Sequence, residues 1–275
     1  MVRLGVLGWP VAHSRSPAMH NAALRQMGLE DWRYQRLPVP PQLFADTVRG
    51  LGGAGFLGVN VTIPHKHAAL ELADTASDAA RQIGAANTLT FAADGGISAE
   101  NTDAPGVIAA LGQSPKGWRA LVLGAGGSAR AVVWALREAG AAEVVVHNRT
   151  HERAQALAAE FGVRASRTCE PADLLVNCTS VGLSGDGLQR SATGGCELNQ
   201  LGLTLDQLSE FSNVIDLVYR HRSTQLLQAA REHGARTVDG LDVLVEQGAL
   251  SLELWTGLKP PLQAMRDAAR SFSAD

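Results

Sequence analysis

Two side chains in the first half of the chain have the chemical types needed for proton transfer, an amine and a carboxylate. Lys66 ends the segment VNVTIPHK, and Asp103 ends the segment NTD. Because Pro64 favours a helix start, we expect Lys66 in the first turn of a helix, where the helix dipole disfavours a cation. This placement fits either a surface lysine or an amine that takes part in chemistry. Asp103 or Thr102, taken alone, is equally explained as the N-cap of the next helix.

Ser14 and Ser16 form a second candidate site, within the segment PVAHSRSPAMHN. Pro17 favours the first position of a helix, so Ser16 is predicted to be the N-cap of that helix. Two hydroxyl groups beside a helix N-terminus also suit a small carboxylate, because the free backbone N–H groups attract anions. The sequence is consistent with either role.

The segment ALVLGAGGSARAVV places four apolar residues before Gly124, Gly126 and Ala129, and an apolar helix after them. This order matches the dinucleotide-binding fingerprint G-x-G-x-x-G/A. In that motif the first glycine permits a tight turn, the second lets the backbone approach a pyrophosphate, and the third small residue packs helix against strand. Since the preceding strand and the following helix are both present, the motif predicts a dinucleotide site. It begins well into the chain, so other structure must occupy the residues in front of it.

The end of the next predicted strand, EVVVHNRT, indicates which dinucleotide is bound, because it carries no acidic residue there. NAD-binding sheets usually have Asp or Glu at this position to bind the ribose hydroxyls. This chain has Arg149, whose guanidinium can pair with a 2′-phosphate through two parallel hydrogen bonds. Asn148 offers a further polar contact, Thr150 is predicted to cap the following helix, and Arg153 adds a second positive charge. The pattern favours NADP.

The composition argues against several classes of function. The 275 residues contain 24 Lys and Arg against 27 Asp and Glu, for a net charge of −3, so we expect no basic surface for nucleic acid or an anionic membrane. No apolar run has the length of a signal-peptide core or a membrane helix. The cysteines (Cys169, Cys178 and Cys196) follow no C-x-x-C spacing, which favours a reducing cytoplasm over a disulfide framework. The histidines show no zinc spacing, so no metal is predicted, and no G-x-S-x-G hydrolase motif occurs.

Strand-like and helix-like segments alternate along almost the whole chain, which predicts an α/β fold. From Trp118 the alternation is regular, and ALVLG, EVVVHN, LLVNCT and NVIDLVY are predicted strands of a parallel doubly wound sheet. The helical segments LVEQGALSLELWTG and PLQAMRDAARSF lie beyond it and are expected to pack on the first domain. Ser184–Leu201 is polar and glycine-rich and is predicted to be a loop.

Taken together, the chain resembles the shikimate dehydrogenase family from Leu4 to about Gly257. The resemblance is carried, in order and at similar spacing, by PVAHSRSPAMHN, NVTIPHK, GAANTL, NTD, GAGGSAR, NRT, NCTSVG, DLVY and LVEQGALSLELWTG. It implies two α/β domains. Residues 1–103 would begin a substrate-binding domain, 104–239 would form an inserted Rossmann-type NADP domain, and helices within 240–275 would complete the first domain.

The resemblance also implies roles for individual residues. Lys66 and Asp103 would be the paired catalytic groups beside the hydroxyl that is oxidised. The implied substrate contacts are Ser14, Ser16, Thr62, Asn87, Tyr219 and Gln247, with the two serines holding a carboxylate. The implied NADP contacts are Gly124, Ala125, Gly126, Gly127, Ser128, Asn148, Arg149, Thr150, Arg153, Leu217, Gly240 and Asp78.

The implied activity is the reversible reduction of 3-dehydroshikimate to shikimate with NADPH, within the biosynthesis of chorismate and aromatic amino acids. We expect small-molecule substrates, no nucleic-acid or membrane partner, and a monomer or a homodimer. Three alternatives remain open at this point. They are a quinate or dual quinate/shikimate dehydrogenase using NAD, a non-catalytic NADP sensor, and an unrelated reductase that shares only the nucleotide domain.

The chain departs from the family pattern at three places. Val243 stands where a methionine is usual near the nicotinamide, and His221 follows DLVYR where proline is common. The Ser184–Leu201 segment lacks the proline-rich character that usually follows TSVG. These departures bear on cofactor affinity and not on the class of reaction.

Overall fold

The computed structural model describes residues 1–182, 197–220 and 223–271. The chain forms two compact units. The first unit combines Met1–Gly106 with Leu244–Asp275, and the second unit is Val107–Val243. The predicted boundaries at 103/104 and 239/240 lie a few residues before these divisions, which fall inside helices. No helix in the described ranges has both the length and the apolar character that a membrane span requires.

The elements up to residue 111 alternate as the sequence predicts. In chain order they are β1 (Val2–Gly8), α1 (Ser16–Gln26), β2 (Trp32–Pro38), a 3₁₀ turn (Pro41–Leu43), α2 (Phe44–Leu51), β3 (Phe56–Val61), α3 (Lys66–Leu72), β4 (Thr75–Ala76), α4 (Asp78–Ile83), β5 (Thr88–Phe91), β6 (Ile97–Glu100) and α5 (Asp103–Leu111).

The remaining elements begin with the strand in front of the glycine motif. In chain order they are β7 (Arg119–Leu123), α6 (Gly127–Glu138), β8 (Glu143–His147), α7 (His151–Phe161), β9 (Arg164–Ser166), β10 (Leu174–Asn177), α8 (Glu197–Leu201), a 3₁₀ turn (Asp206–Glu210), β11 (Asn213–Asp216), α9 (Gln225–Glu232), β12 (Arg236–Val238), α10 (Gly240–Thr256) and α11 (Leu262–Ser271).

The first unit contains a mixed sheet with strand order β2-β1-β3-β5-β6-β4. β1 pairs in parallel with β2 and β3, whereas β5 is antiparallel to both of its neighbours. In the β3–β5 pair, Asn60 lies directly opposite Thr88, so the two side chains share one face of the sheet. The C-terminal helices belong to this unit, and Arg15 of the α1 N-terminus donates a hydrogen bond to the Ala269 carbonyl oxygen at 2.9 Å.

The second unit contains an entirely parallel sheet with strand order β12-β11-β10-β7-β8-β9. Counted within the unit, this is the 3-2-1-4-5-6 order of a dinucleotide-binding fold, which confirms the predicted fold class. Successive β7 residues enter different cores. Ala120 and Val122 pack on one face, and Leu121 and Leu123 pack on the other. A parallel sheet covered on both faces has this apolar sequence throughout its strands.

The predicted loop Ser184–Leu201 is wrong at its end, where Glu197–Leu201 forms α8. Leu198 and Leu201, three residues apart, are both buried in the same hydrophobic cluster, so tertiary packing forms this helical turn. The rest of the predicted loop, residues 184–196, and His221 lie outside the described residues.

Candidate active site

Lys66 and Asp103, which are 37 positions apart in sequence, form an ion pair with 2.6 Å between Lys66 Nζ and Asp103 Oδ2. Lys66 is the first residue of α3, as the proline-based prediction requires, and Asp103 is the first residue of α5. The two side chains are only 12% and 17% exposed. A backbone bond of 2.8 Å from the Ala86 N–H to the Lys66 carbonyl oxygen ties the start of α3 to the loop that precedes β5. The pair is therefore held from both sides by secondary structure.

The Asn87 side chain contacts the same carboxylate, and its hydrogen-bond partners determine which way its amide group faces. Its Oδ1 lies 2.7 Å from the Thr102 backbone nitrogen, a group that can only donate. The Asn87 amide nitrogen must therefore face the opposite way, where it donates to Asp103 Oδ1 at 2.8 Å. Asp103 thus accepts an amide N–H on one carboxylate oxygen and an ammonium N–H on the other.

Gln247 of α10 joins this cluster. Its amide nitrogen donates to the Leu244 carbonyl at 2.8 Å, which leaves its Oε1 facing Asn87 Nδ2 at 3.1 Å. Asn87 and Gln247 are 2% and 8% exposed. The structure therefore brings together four of the predicted site residues, two proposed for catalysis and two for substrate binding.

Neither Thr102 nor Asp103 provides the side-chain cap of α5. The Asn101 side chain accepts the Ala104 N–H at 3.2 Å and so takes the capping role. Thr102 directly precedes α5 and its carbonyl oxygen accepts the Gly106 N–H at 3.0 Å, so the N-cap interpretation of Thr102 is correct in position only. It is wrong for Asp103, the first residue of α5, and both side chains face the Asn87 cluster instead.

The predicted N-cap role of Ser16 is also wrong. Arg15 occupies the cap position and makes no side-chain cap bond, while Ser16 is the first residue of α1. Ser14 and Ser16 are both buried, and Arg36 holds their loop by donating to the Ser14 carbonyl oxygen from Nε at 3.0 Å and Nη2 at 2.9 Å. Thr62, which directly follows β3, lies beside Gly8, where an added Cβ would come within 2.4 Å of the Thr62 methyl.

The glycine turn of the second unit has the backbone geometry that the motif predicts. Gly124 has φ +108°, and a Cβ there would lie 3.2 Å from the carbonyl carbon and oxygen of Cys178 after β10. Gly124 therefore lies between β7 and β10, where the strand order reverses and where such sheets bind nucleotides. Gly126 occupies the N-cap of α6 without a side-chain cap, and a Cβ there would meet nothing within 4 Å.

These features fit a pyrophosphate. The first turn of α6 contains no acidic residue, so its positive end is not neutralised within the helix. The other predicted contacts in the turn are all partly buried and lie at or beside the start of α6; they are Ala125, Gly127 and Ser128.

The residues after β8 fit a phosphorylated ribose. Arg149 and Thr150 are exposed, and Asn148 donates to the Thr150 carbonyl at 2.8 Å. Thr150 occupies the N-cap position of α7 but makes no side-chain cap bond, so the predicted cap is correct in position only. β8 neighbours β7 in the sheet and ends without a carboxylate, which suits a 2′-phosphate better than a free 2′-hydroxyl. Arg153 is exposed in the first turn of α7.

Gly240 and Leu217, both predicted to contact the cofactor, lie against each other. A Cβ on Gly240 would come within 2.4 Å of the Leu217 carbonyl oxygen, so only glycine fits there without a backbone shift.

Three other residues singled out in the sequence lie in different places. Val243 is buried in the hydrophobic cluster that also contains β7 residues. Tyr219 is partly buried and follows β11 in the second unit. Asp78 lies in the first unit, at the first turn of α4, where it pairs with Arg81 at 2.9 Å.

Asp216 is the last residue of β11 and accepts hydrogen bonds from three other residues. Its Oδ1 accepts from Asn177 at 2.9 Å and from the Val218 N–H at 3.1 Å, and its Oδ2 accepts from Thr224 at 2.7 Å. Burial raises the pKa of Asp216 to about 6, against the effect of these hydrogen bonds, and Glu197 raises it further.

Within the described residues, no three His, Cys, Asp or Glu side chains lie together in a way that would hold a metal ion.

Several buried polar residues around the Asn87 cluster were not predicted. They are Tyr34, Asn60, Thr88 and Ser251. Asn60 within the apolar strand VNVT was the one available signal, since an amide in a buried strand requires polar partners.

Three family models match the chain. "Shikimate dehydrogenase substrate binding domain" matches residues 6–89, "Shikimate / quinate 5-dehydrogenase" matches 109–180, and "Shikimate 5'-dehydrogenase C-terminal domain" matches 240–270. A shikimate dehydrogenase (NADP(+)) of Thermus thermophilus is 46% identical over 274 residues, which cover 98% of each chain. The chain belongs to the shikimate dehydrogenase family.

Two further comparisons agree with this membership. The shikimate dehydrogenase (NADP(+)) of Methanopyrus kandleri is 42% identical over 283 residues, covering 96% of this chain and 93% of that protein. The crystal structure of a Thermus thermophilus shikimate 5-dehydrogenase in complex with NADP(H) and shikimate matches with a TM-score of 0.86 at 44% identity, covering 98% of this chain and 99% of that chain.

Proposed function

We propose that this chain catalyses the reversible, NADP-dependent reduction of 3-dehydroshikimate to shikimate. The observation that carries the proposal is the Lys66–Asp103 ion pair, partly buried in the first unit and joined to Asn87, in a chain that belongs to this family. A carbonyl that gains a hydride becomes an alkoxide, which must be stabilised and protonated by a group within hydrogen-bond reach.

Lys66 is the proposed proton donor to this oxygen. Its ammonium is held by Asp103 Oδ2 at 2.6 Å, so its position does not depend on the flexibility of a lysine side chain. Asp103 is in turn held by Asn87 on its other oxygen. In the direction of oxidation, the same pair would take up the hydroxyl proton.

The proposed substrate contacts are Ser14, Ser16, Thr62, Asn87, Tyr219 and Gln247. The buried hydroxyls of Ser14 and Ser16 suit a carboxylate, because they lie at the α1 N-terminus, where no acidic residue occupies the first turn. Asn87 and Gln247 offer amide groups beside the catalytic pair, where the ring hydroxyls of the substrate require hydrogen-bond partners.

NADP(H), when bound, supplies or accepts the hydride. The turn 124–128 would hold its pyrophosphate, and Asn148, Arg149, Thr150 and Arg153 would hold the adenosine end with its 2′-phosphate. Leu217, Gly240 and Asp78 are the remaining proposed contacts. We accordingly propose that residues 1–103 with 240–275 bind substrate and that 104–239 bind NADP.

Two related functions remain outcomes of the test. A quinate or dual-specificity enzyme would reduce NAD or NADP with quinate, and a non-catalytic NADP sensor would bind NADP without turnover. The intact Lys66–Asp103 pair supports an enzyme over a sensor. Purified protein assayed with shikimate and quinate, each with NADP and NAD, separates the three cases, and we expect the highest kcat/KM for shikimate with NADP.

We further propose a cytoplasmic protein that acts on small molecules as a monomer or a homodimer, without nucleic-acid or membrane partners. The net charge of −3 supports this setting, and so do Cys169 and Cys178, which are thiols and not disulfide-bonded in the structure. Light scattering after size-exclusion chromatography would measure the oligomeric state.

A further inference from the structure

Three hydroxyl groups behind the catalytic pair contact one another in a triangle. Thr88 Oγ1 lies 2.9 Å from Ser251 Oγ and 3.3 Å from Thr102 Oγ1, and Ser251 Oγ lies 3.1 Å from Thr102 Oγ1. We call Thr88, Thr102 and Ser251 the hydroxyl triad. Their exposed fractions are 0%, 4% and 0%, so water does not serve them as a partner from the surface. They come from β5, the segment before α5, and α10.

Asn60 donates hydrogen bonds to two hydroxyls of the triad, and Asn87 Nδ2 donates to the third, Thr102 Oγ1, at 3.0 Å. Asn60 Oδ1 accepts from the Tyr34 hydroxyl at 2.7 Å, and Asn60 Nδ2 lies 2.8 Å from Ser251 Oγ and 3.1 Å from Thr88 Oγ1. Since an amide nitrogen only donates, the triad receives these bonds and must pass its own protons onward.

Two hydroxyls of the triad donate hydrogen bonds to acceptors outside it. Thr88 Oγ1 donates to Asn87 Oδ1 at 3.2 Å, and Ser251 Oγ donates to the Gln247 carbonyl oxygen at 3.1 Å. Asn87 Nδ2 then donates to Asp103 Oδ1 at 2.8 Å. The bonds from Tyr34 through Asn60, Thr88 and Asn87 to Asp103 therefore all run in one direction.

Hydrogen bonds aligned in one direction polarise each other, and a fully satisfied buried network fixes a single geometry. Burying these hydroxyls gives no hydrophobic gain, and their burial is tolerated because each of them is hydrogen-bonded. Resting on the proposed function, we propose that Thr88 is a positioning residue. Its hydroxyl orients and polarises the Asn87 amide, and through it holds Asp103 and Lys66 in the reactive arrangement.

Thr88→Val tests this proposal, because valine keeps the shape of threonine and removes only the hydroxyl. Thr90→Val is the matched control. Thr90 lies on the same strand, and its hydroxyl accepts from Trp255 Nε1 of α10 at 3.1 Å. Both variants remove a hydroxyl that contacts α10, so the control accounts for the loss of one contact between β5 and α10.

We expect kcat with shikimate and NADP to fall about tenfold or more in Thr88→Val, since small displacements of catalytic groups cost rate steeply. We expect kcat to stay within about twofold of wild type in Thr90→Val, the KM for NADP to be unchanged in both, and Thr88→Ser to restore most of the lost rate. Thermal unfolding of each variant establishes the temperature at which all are folded.

If Thr88→Val does not fold, Thr102→Val is the second variant. It removes a triad hydroxyl that lies 3.0 Å from Asn87 Nδ2 and is expected to lower kcat in the same way.

Equal kcat values in Thr88→Val and Thr90→Val, or a Thr88→Ser variant as slow as Thr88→Val, would overturn the positioning role while leaving the proposed function intact. A wild-type protein that does not oxidise shikimate at all would instead overturn the proposed function, and the positioning role with it.

Discussion

At the scale of single residues, the site depends on how each hydrogen-bonding atom of Asn87 is used. Its Oδ1 accepts from the Thr102 N–H at 2.7 Å and from the Thr88 hydroxyl at 3.2 Å, so its Nδ2 is the atom that faces Asp103. Lys66 completes the arrangement from the start of another helix. The two ionic groups and the amide are each held by at least one partner, so the site is organised by the chain's own side chains.

Replacing Lys66 by methionine removes the proposed proton donor and keeps the length of the side chain. Positioned acid–base groups typically contribute about 10²–10⁴-fold, so we expect kcat to fall within that range while NADP affinity stays nearly unchanged. Initial rates and fluorescence titration with NADPH measure the two quantities. Lys259→Met, at an exposed lysine of the same unit, is the control and should retain wild-type kcat. A Lys66→Met enzyme with near-normal turnover would show that the proton comes from elsewhere.

Replacing Arg149 by aspartate places a carboxylate where the 2′-phosphate is proposed to bind. Repulsion and the loss of a charge-assisted pair should raise the Kd for NADPH far more than the Kd for NADH, which lacks this phosphate. Arg167→Asp makes the same charge change at another exposed arginine of the second unit and should leave the ratio of the two Kd values near that of wild type. Equal losses for the two cofactors in Arg149→Asp would remove this residue from the phosphate site.

At the scale of elements, the turn from β7 to α6 combines two requirements in one residue. Gly124 has φ +108°, which other residues rarely adopt, and its Cα faces the Cys178 carbonyl so closely that a Cβ would lie 3.2 Å away. The turn therefore depends both on backbone freedom and on the approach of the neighbouring β10 end.

Gly124→Ala should consequently weaken NADPH binding by about tenfold or more, because the turn must move to relieve the contact. Gly162→Ala is the matched control, since Gly162 also has a positive φ, of 62°, but meets nothing within 4 Å. It should lower stability by about 1 kcal/mol and leave the Kd for NADPH unchanged. If the two variants bind NADPH equally well, the close packing at Gly124 does not serve the nucleotide.

Local sequence signals predicted the elements better than their ends. The apolar run before Gly124 and the proline before Lys66 both predicted the correct structure, because strand burial and helix initiation depend on neighbouring residues. The caps at Ser16 and Asp103 were wrong, and Thr102 has the cap position without a side-chain cap, because Asn101 and the surrounding tertiary contacts decide which polar group meets the first turn.

The resemblance supplied the pairing of Lys66 with Asp103, which neither segment shows by itself. The hydroxyl triad could not be predicted from the sequence. Thr88 and Ser251 are 163 positions apart, and each looks in its own segment like an ordinary half-buried polar residue. Only the β3–β5 register and the return of α10 to the first unit bring them together.

At the scale of the whole molecule, each unit contains a buried titratable group that makes the free energy of unfolding depend on pH. The two dependences have opposite directions. Burial lowers the pKa of His20 in the first unit to about 4, although the Ser16 and Gly248 carbonyls act against this shift. Its contribution to the free energy of unfolding is present above pH 6.5, its ordinary pKa, and is lost as pH falls through about 4. The pKa of Asp216 in the second unit is instead raised to about 6.

Asp216 therefore stabilises the folded state below its ordinary pKa of 3.8, and that stability is lost as pH rises through about 6. Asp216→Asn removes the titration while keeping an oxygen acceptor for the Val218 N–H. We expect the free energy of unfolding of the wild type, minus that of the variant, to fall by about 2 kcal/mol between about pH 4 and pH 6. Urea denaturation across this range measures the difference, and parallel curves for the two proteins would show that Asp216 is not protonated in the folded state.

We propose above all that this molecule transfers a hydride between shikimate and NADP. The most direct test is the nicotinamide absorbance of purified protein mixed with shikimate and NADP, with quinate and NAD substituted in parallel samples. We predict a rise in absorbance from NADPH formation that is fastest with shikimate and NADP and that reverses when 3-dehydroshikimate and NADPH are supplied. An unchanged absorbance with shikimate and NADP, from protein shown to be folded, would contradict the account.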